Sequence, residues 1–282
     1  LVTEEQSQIN GYCSPKGSLL SLFRLFQRDG NYCLLLPQDG LAATLQRLNM
    51  FILMSKVSLH DVSDEFGALG LSGPNAETII RAYFNGAPEN ADACQHAKQL
   101  TVIRVADAKP RFVICGSHEN LIAAWSHLKS EAIPTGPAVW SLLDINAGLP
   151  EILQANRDQF VPQMVNLHSI NGLSFKKGCY PGQEVVARMH YLGKQKRRMY
   201  LAHIETAASL LPGAPVFLES DRDGQAVGRI VTAEMSNTGG FDALAVMQIA
   251  NVENQESIVT EAGERLFFKD FPYTVEVEGK KS

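Results

Sequence analysis

Residues 176–188 bring together a thiol, two cations and the start of a predicted helix. Lys176 and Lys177 precede Cys179, and the segment 183–189, which follows a Pro-Gly pair, is typical of a short helix. Backbone N–H groups and the helix dipole favour an anion at a helix N-terminus, and the lysine charges act in the same direction. The pattern therefore predicts a reactive, thiolate-forming cysteine rather than the small buried hydrophobe that a lone cysteine often is.

A reactive thiolate at Cys179 fits two kinds of chemistry. It can serve as a ligand to iron or to an iron–sulfur cluster in transfer, or as a nucleophile toward an electrophilic or oxidised partner. One cysteine alone does not hold a cluster, so ligation would also need a second chain, glutathione or a client protein. Lys177 is expected to tune the thiol.

Four neighbours of the cysteine are candidates for a supporting part. Gln183 and Glu184 are expected to act locally, because a carboxylate at a helix start stabilises the dipole and meets backbone N–H groups. Tyr180 and Arg188 either contact a ligand or pack and pair at the surface.

The composition is that of an ordinary globular protein with an uneven charge. The 282 residues carry a net charge of −5, and the five cysteines are widely spaced without a C-x-x-C pair. This argues against a disulfide framework, a zinc ribbon and a ferredoxin-type cluster site, and it favours a reducing, cytoplasmic compartment. The sequence has neither an apolar run long enough for a transmembrane helix nor a signal-peptide pattern, so no membrane association is expected.

The stretch 176–198 is basic within this acidic chain. It is either a solvated loop and strand start or a surface for an anionic ligand, such as RNA phosphates. Glu184 is its one anion, and its cations are Lys176, Lys177, Arg188, Lys194, Lys196, Arg197 and Arg198.

The first half of the chain alternates strand and helix patterns. Predicted strands cover 31–36, 56–62, 65–71, 100–106 and 111–116. Predicted helices follow Asp39 and Ser117 as caps, with a further helix over 75–84, and 85–97 reads as a polar loop. Leu121, Trp125 and Leu128 form the apolar stripe of the helix after Ser117. The order βαββ then αββα indicates an α+β fold of antiparallel sheets with helices on one face.

From about residue 198 the pattern changes to short apolar strands at roughly ten-residue intervals. They cover 199–204, 214–218, 226–233 and 243–249 and are separated by Gly-, Asp- and Asn-rich turns. Such spacing is typical of a small β-barrel.

Three segments resemble motifs of one family. Residues 177–184 read K-G-C-Y-P-G-Q-E, similar to the signature K-G-C-Y-x-G-Q-E of the YgfZ family. Residues 140–150 resemble that family's R-I-E-A-G-x-P segment with its preceding tryptophan, and 160–167 resemble its F-x-P-Q-x-x-N-L. The segments follow in family order, and weaker similarity covers nearly the whole chain.

The resemblance implies a fold, a ligand and partners. It implies aminomethyltransferase-like folate-binding α+β domains, the first over 1–37 plus 138–196 and the second, ferredoxin-like, over 38–137, followed by a C-terminal β-barrel over 197–282. It implies tetrahydrofolate or a derivative as cofactor, with Trp140 stacked on the pteridine, and a contribution of Tyr180, Gln183, Glu184 and Arg188 to that site. The implied role is assembly or repair of iron–sulfur clusters in client enzymes, including one that methylthiolates tRNA.

Two departures from the pattern keep alternatives open. The family's opening L-Q-G-Q-x-T-x-D segment is not seen, so its contribution to the site is not assigned. Residues 14–24, which match the glycine-rich turn that carries the aminomethyltransferase aspartate, contain no carboxylate. An accessory protein is therefore favoured over a folate-dependent one-carbon transferase, because the acid–base group of that reaction is missing. An RNA-binding module that uses the basic stretch is the third alternative.

Overall fold

The computed structural model describes residues 2–192 and 195–275. Its contacts divide the chain into two units, Leu1–Ile9 with Phe23–Gly136 and Asn10–Leu22 with Pro137–Ser282. The three-domain division stays a prediction.

The first strands form a three-stranded sheet. They are β1 (Gln8–Cys13), β2 (Leu19–Arg28) and β3 (Asn31–Leu35), in the order β1-β2-β3, with β2 and β3 antiparallel. The chain passes into the second unit within β1 and returns within β2. The strand expected at 31–36 is confirmed.

The rest of the first unit packs two helices on an antiparallel sheet. The sheet order is β4-β7-β6-β5. Ile80, Phe112 and Ile114 are fully buried in the core that the sheet shares with α2 and α3. Ser117 accepts a hydrogen bond from the Asn120 backbone N–H and caps α3, as the sequence predicted. The elements are α1 (Gln38–Asn49), β4 (Phe66–Ser72), α2 (Ala76–Phe84), β5 (Cys94–Ala97), β6 (Leu100–Arg104), β7 (Arg111–Ser117) and α3 (His118–Leu128).

Four local predictions in this unit were wrong. Residues 56–62 do not form a strand, and Val57 is 58% exposed there. Part of the predicted polar loop is β5, which pairs with β6. The cap of α1 is Pro37, so Asp39 lies within the first turn. Trp125 is 40% exposed, and Ala124 takes its place on the buried stripe of α3.

The second unit begins with irregular chain around two helices. These are α4 (Pro137–Asn146) and α5 (Gln183–Leu192), with 3₁₀ turns at Gln154–Asn156 and Pro162–Val165 between them. The helix expected at 183–189 is therefore confirmed.

A six-stranded antiparallel sheet completes the second unit as the expected small barrel. Its order is β12-β9-β10-β11-β8-β13, and a bridge between Val259 and Arg265 joins the two ends. Small side chains such as Ala202, Ala243 and Ala245 fill its interior. The elements are β8 (Arg197–Ile204), β9 (Pro215–Leu218), β10 (Gly228–Met235), β11 (Phe241–Gln248), α6 (Ile249–Glu253), β12 (Ile258–Thr260) and β13 (Leu266–Lys269).

Among the helices within 2–192 and 195–275, none has both the length and the apolar character needed to cross a membrane.

Candidate functional site

Cys179 differs from the other four cysteines in its exposure. It lies on the surface in the loop before α5, whereas Cys13, Cys94 and Cys115 are buried and Cys33 is half-buried. Burial raises the pKa of the Cys13 thiol to about 11 and that of Cys115 to about 12, and it also raises the pKa values of Cys33 and Cys94. The four less accessible thiols thus stay protonated at neutral pH, which makes them poor nucleophiles.

The loop that carries Cys179, residues 175–182, is fixed at its C-terminal end by a close contact of Gly182. Gly182 has φ +81°, and a Cβ there would lie 2.5 Å from the Ser14 carbonyl oxygen and 2.7 Å from Gly17 Cα. Ser14 and Gly17 belong to the tight turn between β1 and β2, in which the Gly17 N–H donates to the Ser14 carbonyl at 2.9 Å. Only glycine permits this approach, because any Cβ would overlap backbone atoms.

Backbone and side-chain bonds join the loop to the first turn of α5. The Tyr180 N–H donates to Gln183 Oε1 at 3.3 Å, and the Gln183 N–H donates to the Tyr180 carbonyl at 3.1 Å. Gln183 therefore has the local role expected of it. At the near end of the loop, the Phe175 ring stacks on His190 of α5 with centroids 3.8 Å apart.

Lys177 lies over the aromatic ring of Tyr180. Its Nζ is 4.9 Å from the ring centroid, a cation–π distance. Lys177 also lowers the pKa of the Cys13 thiol, against the larger effect of burial. The structure thus shows this lysine acting on Tyr180 and Cys13, and its expected effect on Cys179 stays a prediction.

The Tyr180 hydroxyl is a buried polar atom without a hydrogen-bond partner in the described part of the chain, and Ser14 Oγ is another. Burial, and secondarily the nearby Cys13, raises the pKa of Tyr180. Buried hydroxyls are normally satisfied, so these two mark positions where a water or a polar ligand group would bind.

Glu184 and Arg188 lie one turn apart on α5, and both are exposed. Their assignment to a ligand site remains a prediction. Lys194 of the basic stretch lies outside the described residues.

Trp140 is in the first turn of α4 and is half-buried. Helix α4 packs on β10 and β11. Its assignment to the folate site remains a prediction.

The F-x-P-Q-x-x-N-L segment has a structural role that sequence reasoning missed. Gln163 is fully buried, and its amide donates to the Val186 carbonyl of α5 at 2.7 Å. Asn166, also fully buried, donates to the Met199 carbonyl of β8 at 3.2 Å. These two amides tie α5 and β8 to the same 3₁₀ turn, and polar residues at fixed spacing in an apolar segment were the available signal.

The fold matches that of a solved structure. The chain resembles the glycine cleavage system aminomethyltransferase T from Bartonella henselae, with a TM-score of 0.68 over 95% of this chain and 75% of that chain. The sequence identity is 15%, so this likeness concerns the fold alone.

Sequence comparison finds relatives that share one name. The chain is 35% identical over 200 residues to the tRNA-modifying protein YgfZ of Colwellia psychrerythraea, which is 71% of this chain and 60% of that protein. It is 29% identical over 251 residues to the tRNA-modifying protein YgfZ of Hamiltonella defensa, which is 88% of this chain and 74% of that protein. No family model matches. The chain is thus similar to proteins of this name over most of its own length, and it spans less than two thirds of the first of them.

Proposed function

We propose that the protein binds tetrahydrofolate and acts as an accessory factor in the assembly or repair of iron–sulfur clusters in client enzymes. The observation that carries the proposal is the single exposed thiol, Cys179, on a loop fixed by Gly182 within an aminomethyltransferase fold. The printed name of the relatives, tRNA-modifying protein, supports a client that modifies tRNA.

The residues present fit a folate. The half-buried indole of Trp140 offers a face on which a flat pteridine can stack. The unpartnered hydroxyls of Tyr180 and Ser14 offer hydrogen bonds to polar ring or amide groups. The exposed Lys176 and the cations of α5 and β8 suit the glutamate carboxylates of a folate tail. When bound, tetrahydrofolate carries one-carbon units.

Cys179 acts as a ligand to iron or to a cluster in transfer, or as a nucleophile toward an oxidised group on a client. Its exposure lets a second protein or glutathione supply the remaining ligands, which one cysteine cannot provide. In the described ranges, no three His, Cys, Asp or Glu side chains are placed to hold a metal ion, so the cluster is treated as cargo. Tyr180 and Lys177, which contact each other beside the cysteine, position the loop.

Calorimetric titration with tetrahydrofolate tests the proposal. Wild type and Cys179→Ala are expected to bind, and Trp140→Ala is expected to lose at least tenfold in affinity because stacking on the pteridine is removed. Tight binding that is unchanged in Trp140→Ala would contradict the stacking role, and no binding by wild type would contradict the folate proposal. Release of methylenetetrahydrofolate from an aminomethyl donor would instead identify a one-carbon transferase.

A further inference from the structure

The second unit contains a cavity beneath α4 that neither Cys179 nor Trp140 lines. Its volume is about 140 Å³. Three carboxylates line it, from Asp144 on α4, Glu151 after α4 and Glu234 on β10. Ser141 and Thr232 line it as well.

The buried side chain of Thr232 indicates that the cavity binds a ligand. Its side chain is 7% exposed, and its hydroxyl has no hydrogen-bond partner within the described residues. A buried hydroxyl without a partner destabilises the folded protein, so a group in the cavity that bonds to it would remove that penalty.

A β-bulge directs Thr232 to this cavity. Ile230 pairs with Ala245 and faces the barrel interior. The next pair along the two strands is Thr232 with Leu244, so Val231 is the extra, unpaired residue of the bulge. The extra residue turns Thr232 from the barrel interior to the outer face on which α4 packs.

The bulge is itself held by a buried side chain. The fully buried Asn156 donates from its amide to the Val231 carbonyl at 2.6 Å and accepts from the Leu153 N–H at 2.9 Å. The orientation of Thr232 therefore belongs to the fixed part of the unit rather than to a surface loop.

Asp144, Glu151 and Glu234 give the cavity an acidic lining. Glu234 is partly held by the Met235 N–H, which donates to its Oε1 at 2.9 Å.

The walls favour an organic cation over a metal ion. Ile145, Leu149 and Pro212 supply apolar surface between the carboxylates. The described residues contain no group of three acidic, histidine or cysteine side chains placed to hold a metal ion. A cavity of about 150 Å³ accepts a ligand as large as benzene, which has as many heavy atoms as a four-carbon diamine.

We propose that this cavity binds an alkylammonium group, of a short aliphatic diamine or of a lysine side chain. An ammonium group has three N–H donors and no acceptor, which matches a lining of carboxylate and hydroxyl oxygens. The methylene chain packs on the apolar walls, as lysine stems do. The site is independent of the proposed folate and thiol functions.

The test is calorimetry of the full chain with 1,4-diaminobutane and, separately, with Nα-acetyl-lysine-N-methylamide. Asp144→Asn is expected to weaken binding about tenfold or more, because it removes a charge-assisted bond. Thr232→Val keeps the side-chain shape and removes the hydroxyl, and it is expected to weaken binding severalfold. Glu219→Gln changes an exposed barrel carboxylate outside the cavity by the same charge, and it should leave binding unchanged.

The two probes distinguish a free diamine from a lysine of a partner protein, and binding of either with this variant pattern supports the proposal. The absence of binding by both probes would overturn it. Binding that Asp144→Asn and Glu219→Gln weaken equally would also overturn it, since the effect would then be general charge. Mg²⁺ titrated in the same way should not compete, and competition that disappears in Asp144→Asn would make this a metal site instead.

Discussion

The contact of Gly182 with the turn between β1 and β2 predicts how much stability the protein loses when Gly182 is replaced by alanine. Replacement by alanine places an L-residue at φ +81°, which costs about 1–2 kcal/mol. The new Cβ would also overlap the Ser14 carbonyl oxygen at 2.5 Å and Gly17 Cα at 2.7 Å. Both are backbone atoms that cannot rotate away, and such overpacking costs about 1–3 kcal/mol. The expected loss in the free energy of unfolding is therefore about 2–5 kcal/mol.

Gly178, in the same loop, provides the matched control. A Cβ there meets no atom within 4 Å, and its φ is not in the left-handed region. Gly178→Ala should keep or slightly raise stability, because alanine restricts the unfolded chain.

Thermal unfolding of both variants, followed by circular dichroism, makes the comparison, and Tm should fall by at least about 4 °C for Gly182→Ala alone. Equal stability of the two variants would refute the proposed contact between the Cys179 loop and the turn.

Two further predictions concern a thiol and a buried carboxylate. Iodoacetamide at neutral pH should modify Cys179 well before the half-buried Cys33, as judged by peptide mass spectrometry, and simultaneous labelling would contradict the burial described here. Burial alone would raise the pKa of Asp242, but hydrogen bonds from Lys269 and His203 outweigh it and lower that pKa below its ordinary 3.8. The ionised form thus stabilises the folded state above pH 3.8, and the stabilisation is lost as pH falls through the lowered folded value. The stability difference between wild type and Asp242→Asn should shrink as pH falls below 3.8, and a difference that does not change there would contradict this.

The local sequence pattern predicted those helices and strands whose conformation depends little on their neighbours in the fold. The Ser117 cap and the alternating strands of the barrel follow from residue types alone. The short β5 was missed because its sequence, Cys-Gln-His-Ala, has no apolar alternation and owes its conformation to pairing with β6. Residues 56–62 have the opposite character, since their apolar residues suggest a strand for which the fold provides no neighbour.

The same distinction applies to the candidate sites. Charge and helix start identified the Cys179 loop, because these signals lie within a dozen residues of sequence. The approach of Gly182 to Ser14 joins distant segments, and so does the bond from Asn156 that holds the bulge before Thr232. Neither contact can be recognised from a short stretch of sequence. The contact that fixes the Cys179 loop and the acidic cavity were therefore found only in the structure.

The proposed action of the exposed thiol on iron–sulfur clients can be measured in cells. The direct measurement is the amount of methylthiolated tRNA, by mass spectrometry, in a host that lacks its own copy of this protein and carries wild type, Cys179→Ala or Cys33→Ala at matched expression. Wild type and Cys33→Ala should restore the modification, and Cys179→Ala should not. Full restoration by Cys179→Ala would contradict the proposed action.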